Sequence, residues 1–281
     1  MEGLNNTVRL YCSDRQPVHD GRVSDRVVSV LFSTDVEAWR SGWSRTPGGT
    51  PTREAVVDVN DVVRGGAAAS TQVVPNSGLV HTVLGRATEH ERVFDALADH
   101  FDGVPAGTID VFVDDLARVA VRDGVDPAVT FTERLGERFR ERARRITIGC
   151  SFEGPAELLA RAEGHVDSVA GVDPGAASAV ERLSREDPTT FGYVRRHWAE
   201  AKRGIETCDR NYPQSKQVHA ALTDPETTPR TLGATLSGLV TLGALETWGD
   251  TVGSTRYDLT AYRSERTWDV AVALAAGVSD D

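Results

Sequence analysis

VVSVLFS, residues Val27–Ser33, is a continuous apolar run interrupted by Ser29 alone and bordered by Asp25-Arg26 and Asp35. A strand with one wet face alternates apolar and polar side chains. A strand without that alternation is covered on both faces, as happens in a parallel sheet with helices on either side. The neighbouring sequence agrees. VRLYC (Val8–Cys12), AVVDV (Ala55–Val59), TQVV (Thr71–Val74), DVFV (Asp110–Val113, running into Asp114-Asp115), RITIGC (Arg145–Cys150) and VDSVAGV (Val166–Val172) read as further strands. Between them lie helical stretches. Asp35–Trp43 follows the first run. His90–Phe101 carries Val93, Phe94, Leu97 and Ala98 on one face, and Ala128–Arg144 carries Phe131, Leu135 and Phe139 at four-residue steps. Ala156–Ala162 completes the series. Strands alternating with helices predict an α/β domain with a mostly parallel sheet and helices on both faces. The helix between DVFV and RITIGC is long enough for a right-handed crossover. Strand order is not readable from this pattern.

Asp173-Pro174-Gly175 ends the alternation. The expected division is therefore residues 1–174 and residues 175–281. The second part reads as Ala176–Arg185 and Phe191–Cys208, both helical, a breaker at Asn211-Tyr212-Pro213, a short helix at Ser215–Leu222 and a longer one at Thr228–Leu245. Two strands, Glu246–Trp248 and Arg256–Leu259, flank the loop Gly249–Thr255, and Ser264–Ala276 is a final helix.

Composition narrows the function classes. The 281 residues are 40% hydrophobic and 26% charged, a globular composition. No apolar run approaches the ~18 residues that span a bilayer. The first residues carry Arg9 and Asp14 without a hydrophobic signal core, so the expected location is the cytoplasm. Cys12, Cys150 and Cys208 are too far apart in sequence for a Cys-x-x-Cys metal knuckle or a disulfide framework. The net charge is −11, and only Lys202 and Lys216 among 31 basic residues are lysines. Few lysines with excess acid resembles the proteins of a salt-loving archaeon, whose cytoplasm screens charge over ~3 Å at 1 M salt; a GC-rich genome also replaces lysine by arginine. In the halophilic case an acidic surface does not exclude nucleic acid as a partner.

The richest local signal is TPRTLGATLSGLVTLGAL, Thr228–Leu245. Thr228 is a helix cap and Pro229 suits the first helical position. Leu232, Leu236, Leu239, Val240 and Leu242 form an apolar stripe near the helical period, and Gly243 permits the closing turn. A hairpin with a Gly- and Asp-rich tip follows. This order of helix, LxxLGxL and hairpin resembles the winged helix-turn-helix domain of archaeal DNA-binding proteins and, more loosely, the winged-helix module of archaeal replication initiators. The resemblance covers roughly fifty residues. It implies a helix that presents Arg230, Thr231, Ala234, Thr235 and Gly238 to the major groove with Thr228 at its front, and a wing whose Thr255 and Arg256 meet phosphate or the minor groove. The expected partner is double-stranded DNA, with the protein a homodimer or joined to a protein partner. The basic footprint is thin: residues 189–256 hold eight basic and seven acidic side chains, a net of +1. A protein-interaction adaptor built on the same module is therefore the alternative. Phe191–Arg203 reads either as a phosphate-facing helix or as an amphipathic one with Val194, Trp198 and Ala201 inward.

The pair VVSVLFS and VFVDDL, in its order of elements, resembles RecA- and KaiC-like ATPase cores over roughly residues 8–174. The resemblance implies that Asp114 and Asp115 stand where that family's strand-end Asp holds Mg²⁺ through water. The chain departs from the family in the phosphate loop. A Gly-Lys-Ser/Thr sequence is missing, neither lysine follows a Gly-rich loop, and the loop after the first strand reads Ser13-Asp14-Arg15-Gln16-Pro17. The expectation is a degenerate domain with vestigial Asp114 and Asp115, no catalytic residue, no metal and no cofactor, used for dimerisation or partner sensing. Gly48-Gly49 and Gly65-Gly66 lack dinucleotide spacing. The seven histidines are scattered, Cys150-Ser151 has no base beside it, and the five tryptophans have spacings suited to core or domain packing.

Overall fold

The computed structural model describes residues 7–12, 24–43, 49–59, 70–75, 77–85, 88–152, 154–249 and 254–277. The chain divides into two compact units, Met1–Ala170 and Gly171–Asp281. The division falls four residues ahead of the expected one, because Asp173 already belongs to the second unit as the cap of its first helix.

In unit 1 the elements run β1 (Thr7–Cys12), β2 (Arg26–Leu31), α1 (Val36–Gly42), β3 (Arg53–Asp58), β4 (Ser70–Val74), β5 (Leu79–Val83), α2 (His90–Asp99), β6 (Ile109–Val113), α3 (Leu116–Asp123), α4 (Val125–Phe139), β7 (Ala143–Cys150), α5 (Ala156–Ala162) and β8 (Ser168–Ala170). Eight strands form one sheet in the order β4-β5-β3-β2-β6-β7-β1-β8. Every pairing is parallel except that of the edge strand β4 with β5. This is the α/β architecture that the unbroken apolar run implies. β2 and β6 lie side by side at the centre, and Val27, Val28, Val30, Leu31, Val111, Phe112 and Val113 are all buried. Against β2, β3 and β6 pack Trp39 of α1 and Trp43 at its carboxyl cap, whose rings meet edge-on at 5.7 Å, with Trp43 also 5.7 Å from Phe112. Glu54 is buried beside them because it has partners: the Arg40 guanidinium at 2.8 Å and the Trp43 indole N–H at 2.9 Å.

Three elements differ from the sequence reading. β5 (LVHTV) is a full strand whose His81 and Thr82 hide its pattern. α3 fills the segment directly after Asp115, and Gly124, at φ +102°, both ends α3 and opens α4. α4 stops at Phe139 because Ala143–Arg145 has joined β7. The four-residue steps hold: Phe131, Leu135 and Phe139 are fully buried, and Phe131 stacks on Phe94 of α2 at 5.1 Å.

Unit 2 comprises α6 (Pro174–Glu186), α7 (Pro188–Thr207), α8 (Ser215–Ala220), α9 (Pro229–Thr241), a hairpin of β9 (Glu246–Thr247) and β10 (Tyr257–Asp258), and α10 (Ser264–Ala276). α7 packs on α9, α8 on α9, and α10 on α6 and α7. Val194, Trp198 and Ala201 of α7 are buried, the inward set of the amphipathic reading, while Arg195 and Arg196 are exposed. Among the described residues no helix is long and apolar enough to cross a membrane.

Candidate nucleic-acid interface

The front of α9 is built locally. Thr228 is extended and its Oγ1 accepts the Thr231 amide at 3.2 Å, Pro229 takes the first helical position, and the Thr228 and Thr231 hydroxyls share a hydrogen bond at 3.0 Å. The turn ahead is clamped from two other helices. Glu200 of α7, a buried carboxylate, accepts the Glu226 amide at 3.0 Å and the Thr227 amide and hydroxyl at 3.2 and 3.1 Å. His219 of α8 donates its Nε2–H to the Thr227 carbonyl at 2.7 Å. These contacts fix the direction of α9. Thr228, Pro229 and Arg230 are left exposed, and Arg230 has no hydrogen-bond or ion-pair partner among the described residues.

The groove-facing set needs correction. Thr235 is fully buried; its hydroxyl donates to the Thr231 carbonyl at 3.1 Å and lies 3.5 Å from the Tyr193 carbonyl of α7. Gly238 is buried too, and a Cβ there would come within 2.2 Å of the Val194 Cγ2. Both residues belong to the α7–α9 contact. They extend the leucine stripe with small side chains, which let two helices approach closely. The residues of α9 left exposed are Pro229, Arg230, Ser237 and Thr241, with Thr231 and Ala234 among the half-buried ones.

The hairpin is anchored to the same helix. The Trp248 amide donates to the Arg256 carbonyl at 2.9 Å, Arg256 bridges back to Gln214 ahead of α8, and the Tyr257 amide donates to the Pro213 carbonyl at 3.0 Å. The Tyr257 hydroxyl donates to the Gly233 carbonyl at 3.1 Å and lies 3.2 Å from the Ser237 hydroxyl; burial pushes its pKa up, so the phenol stays neutral. Thr255 is exposed. Arg256 is half-buried and its Nη1 donates to the Tyr212 carbonyl at 3.1 Å. The expected free wing arginine is thus also a brace at the base of the hairpin. Residues 250–253, at the tip, lie outside the described residues.

Sequence reasoning missed Glu200, His219 and Tyr257, whose partners are remote in the chain. It also placed all five tryptophans in packing roles. Trp39, Trp43, Trp198 and Trp268 are buried, but Trp248 is 44% exposed. Its ring meets that of Tyr212, 37% exposed, with centroids 4.8 Å apart. The Asn-Tyr-Pro breaker beside the hairpin was the available signal.

In unit 1 the chain leaves β2 toward β3 and leaves β6 toward β7, on opposite sides. Such a divergence opens a crevice at the carboxyl ends of the strands, the usual ligand position in open parallel sheets. Asp114 stands in it. Its carboxylate accepts the amides of Phe32 (2.7 Å), Ser33 (2.9 Å), Thr34 (2.8 Å) and Asp115 (2.7 Å) and the Ser33 hydroxyl (2.9 Å). Asp115 caps α3 through the Ala117 amide at 3.0 Å and accepts the Ser151 amide at 3.0 Å and hydroxyl at 2.9 Å. Burial pushes its carboxyl above the usual range, against the pull of those bonds. Both carboxylates are therefore committed to the protein's own loops. Cys150 faces Cys12 in register across β7 and β1; contact with that thiol and burial raise its pKa well above the ordinary value, which keeps it protonated and unsuited to nucleophilic attack.

The remaining sequence candidates are dispersed. His81 lies 3.3 Å from Asp58, His90 2.9 Å from Asp123 and His165 3.9 Å from Glu133. Among the described residues no three His, Cys, Asp or Glu side chains gather where a metal ion could be held. His19, Ser13–Pro17, Gly48 and Gly65-Gly66 lie outside the described residues. No protein-family model, curated protein or solved structure matches this chain.

Proposed function

We propose that this chain is a DNA-binding transcriptional regulator of the cytoplasm, with unit 2 as a winged helix-turn-helix module and unit 1 as a RecA-like domain that has lost nucleotide chemistry. The carrying observation is the front of α9: a capped, Pro-initiated helix end with an uncommitted, exposed Arg230, held beside a hairpin by the Tyr257 hydroxyl. Helix amino-terminal residues reach base edges in the major groove, and the free amides there favour phosphate. The order α7, Gln214 bridge, α8, α9, hairpin supports the winged-helix reading. The commitment of Asp114 and Asp115 to backbone amides supports the loss of a metal-binding role in unit 1. One α9 front reads few base pairs, so specificity calls for two copies on a two-fold site.

Footprinting of genomic fragments at molar KCl tests this. Protected sites with paired half-sites about one helical turn apart are expected. A folded protein that protects no DNA at any salt concentration overturns the reading.

A further inference from the structure

The amino end of the sheet in unit 1 carries a cavity, and strand register builds it in two rows. Val28 of β2, Ala55 of β3, Val80 of β5 and Val73 of β4 are successive partners across four strands. They make an apolar shelf that runs from the buried Val28 to Val73 at the sheet edge, 73% exposed. Two residues nearer the amino ends, about 6.6 Å along the strands, comes the second row. There Arg26 of β2 stands in register with Arg53 of β3 on one side and with Ile109 of β6 on the other. Alternation puts both rows on one face of the sheet. With His100, at the carboxyl cap of α2, these residues line a cavity of about 330 Å³.

The two arginines are strand neighbours of like charge. Neither guanidinium has a hydrogen-bond or ion-pair partner among the described residues. The acidic groups nearby are committed elsewhere or turned away. Glu54, also in the lining, has its carboxylate on Arg40 and the Trp43 indole, on the α1 face of the sheet. Asp110 is bonded to Arg144 and the Ser24 amide. Asp25 and Asp99 are exposed and outside the lining. Like charges side by side repel, and an anion held between them relieves the repulsion. A guanidinium fork matches a carboxylate with two parallel hydrogen bonds. The shelf beneath has no polar side chain, so the rest of the ligand is apolar. Pockets for small molecules begin near about 300 Å³, which sets the ligand's size.

We propose that this cavity binds a small organic acid, its carboxylate on Arg26 and Arg53 and its apolar body along the valine shelf. The proposal is independent of the DNA reading of unit 2.

Titration calorimetry of the full chain with straight-chain monocarboxylates from acetate to octanoate tests it, with hexanamide and inorganic phosphate as comparators. One site per chain is expected. Affinity should rise by up to roughly fourfold per added methylene and level off once the shelf is covered. Hexanamide, which lacks the charge, and phosphate, which lacks the apolar body, should each bind about tenfold or more weaker than hexanoate. Arg53→Gln, at an exposed position, should weaken hexanoate about tenfold or more while the melting temperature of the ligand-free protein is unchanged. Arg26→Gln should weaken hexanoate likewise, and it decides the matter should the first variant unfold. The proposal is overturned if no acid binds saturably, if phosphate or hexanamide binds as tightly as hexanoate, or if both folded variants keep the parent's affinity. Duplex footprinting decides the DNA reading separately, whichever of these results is obtained.

Discussion

The carboxyl end of the sheet in unit 1 and the front of α9 in unit 2 both offer polar groups where ligands often bind, yet they differ in how those groups are spent. Asp114 accepts five hydrogen bonds and Asp115 three, all from the protein's own chain. Arg230 is exposed and accounts for none. A buried carboxylate saturated by amides holds loops together and has little left for a cation. An exposed guanidinium adds almost nothing to folding and keeps its bonding capacity for a partner. Residue type and position in the fold suggest a site; the hydrogen-bond accounting separates scaffold from surface.

The largest effect that could break this contrast is at Asp114. Asp114→Ala strands buried donors around the β2–α1 loop and should cost on the order of 4 kcal/mol in guanidinium unfolding of unit 1. An unchanged midpoint would return Asp114 to a ligand-binding role. Next is Gly238→Ala, which drives a methyl into Val194 and Thr190; overpacking of about 1–3 kcal/mol should lower the melting temperature of unit 2. A neutral result would mean that α7 and α9 separate easily and that Thr235 can reach the surface.

Arg230→Ala inverts the pattern. Stability should stay within about 0.5 kcal/mol of the parent, while duplex affinity falls roughly tenfold and the salt dependence flattens by about one counterion. Parallel losses in melting and binding would assign Arg230 to the scaffold. The smallest expected effect lies at the amino end of the sheet. His100 helps line a cavity of about 330 Å³ with Arg26, Arg53, Glu54 and Val73, and its Nε2 is buried without a partner. Burial lowers its pKa, with Asp99 pulling weakly the other way. The unfolded chain therefore takes up the proton first. Stability should be full above the ordinary histidine value of 6.5 and should decline as pH falls from there toward the depressed folded value. Urea midpoints against pH should show that decline in the parent and a flatter profile in His100→Phe; matching profiles would refute it.

Local signals carried well from sequence to structure. Thr228, Pro229 and Gly243 act through bonds to near neighbours, and the Thr228 cap and the closing turn at Gly243 form where the sequence places them. The helical spacing of Phe131, Leu135 and Phe139 required no knowledge of what they pack against. Thr235 and Gly238 were misjudged because the buried arc of α9 is wider than its leucines. A glycine and a threonine read as polar or small in sequence, and only the presence of α7 makes them core. Trp248 erred the opposite way, since a large apolar ring is usually buried.

The sequence by itself determined the α/β class of the first part, the helical content of the second, and the caps that start its helices. These follow from period, propensity and bonds spanning a few residues. Strand order, the saturation of Asp114 and Asp115, the burial of Thr235 and the exposure of Trp248 beside Tyr212 were decided by the tertiary structure. Each depends on which distant groups meet, and a buried polar group or an open ring is defined by its neighbours in space.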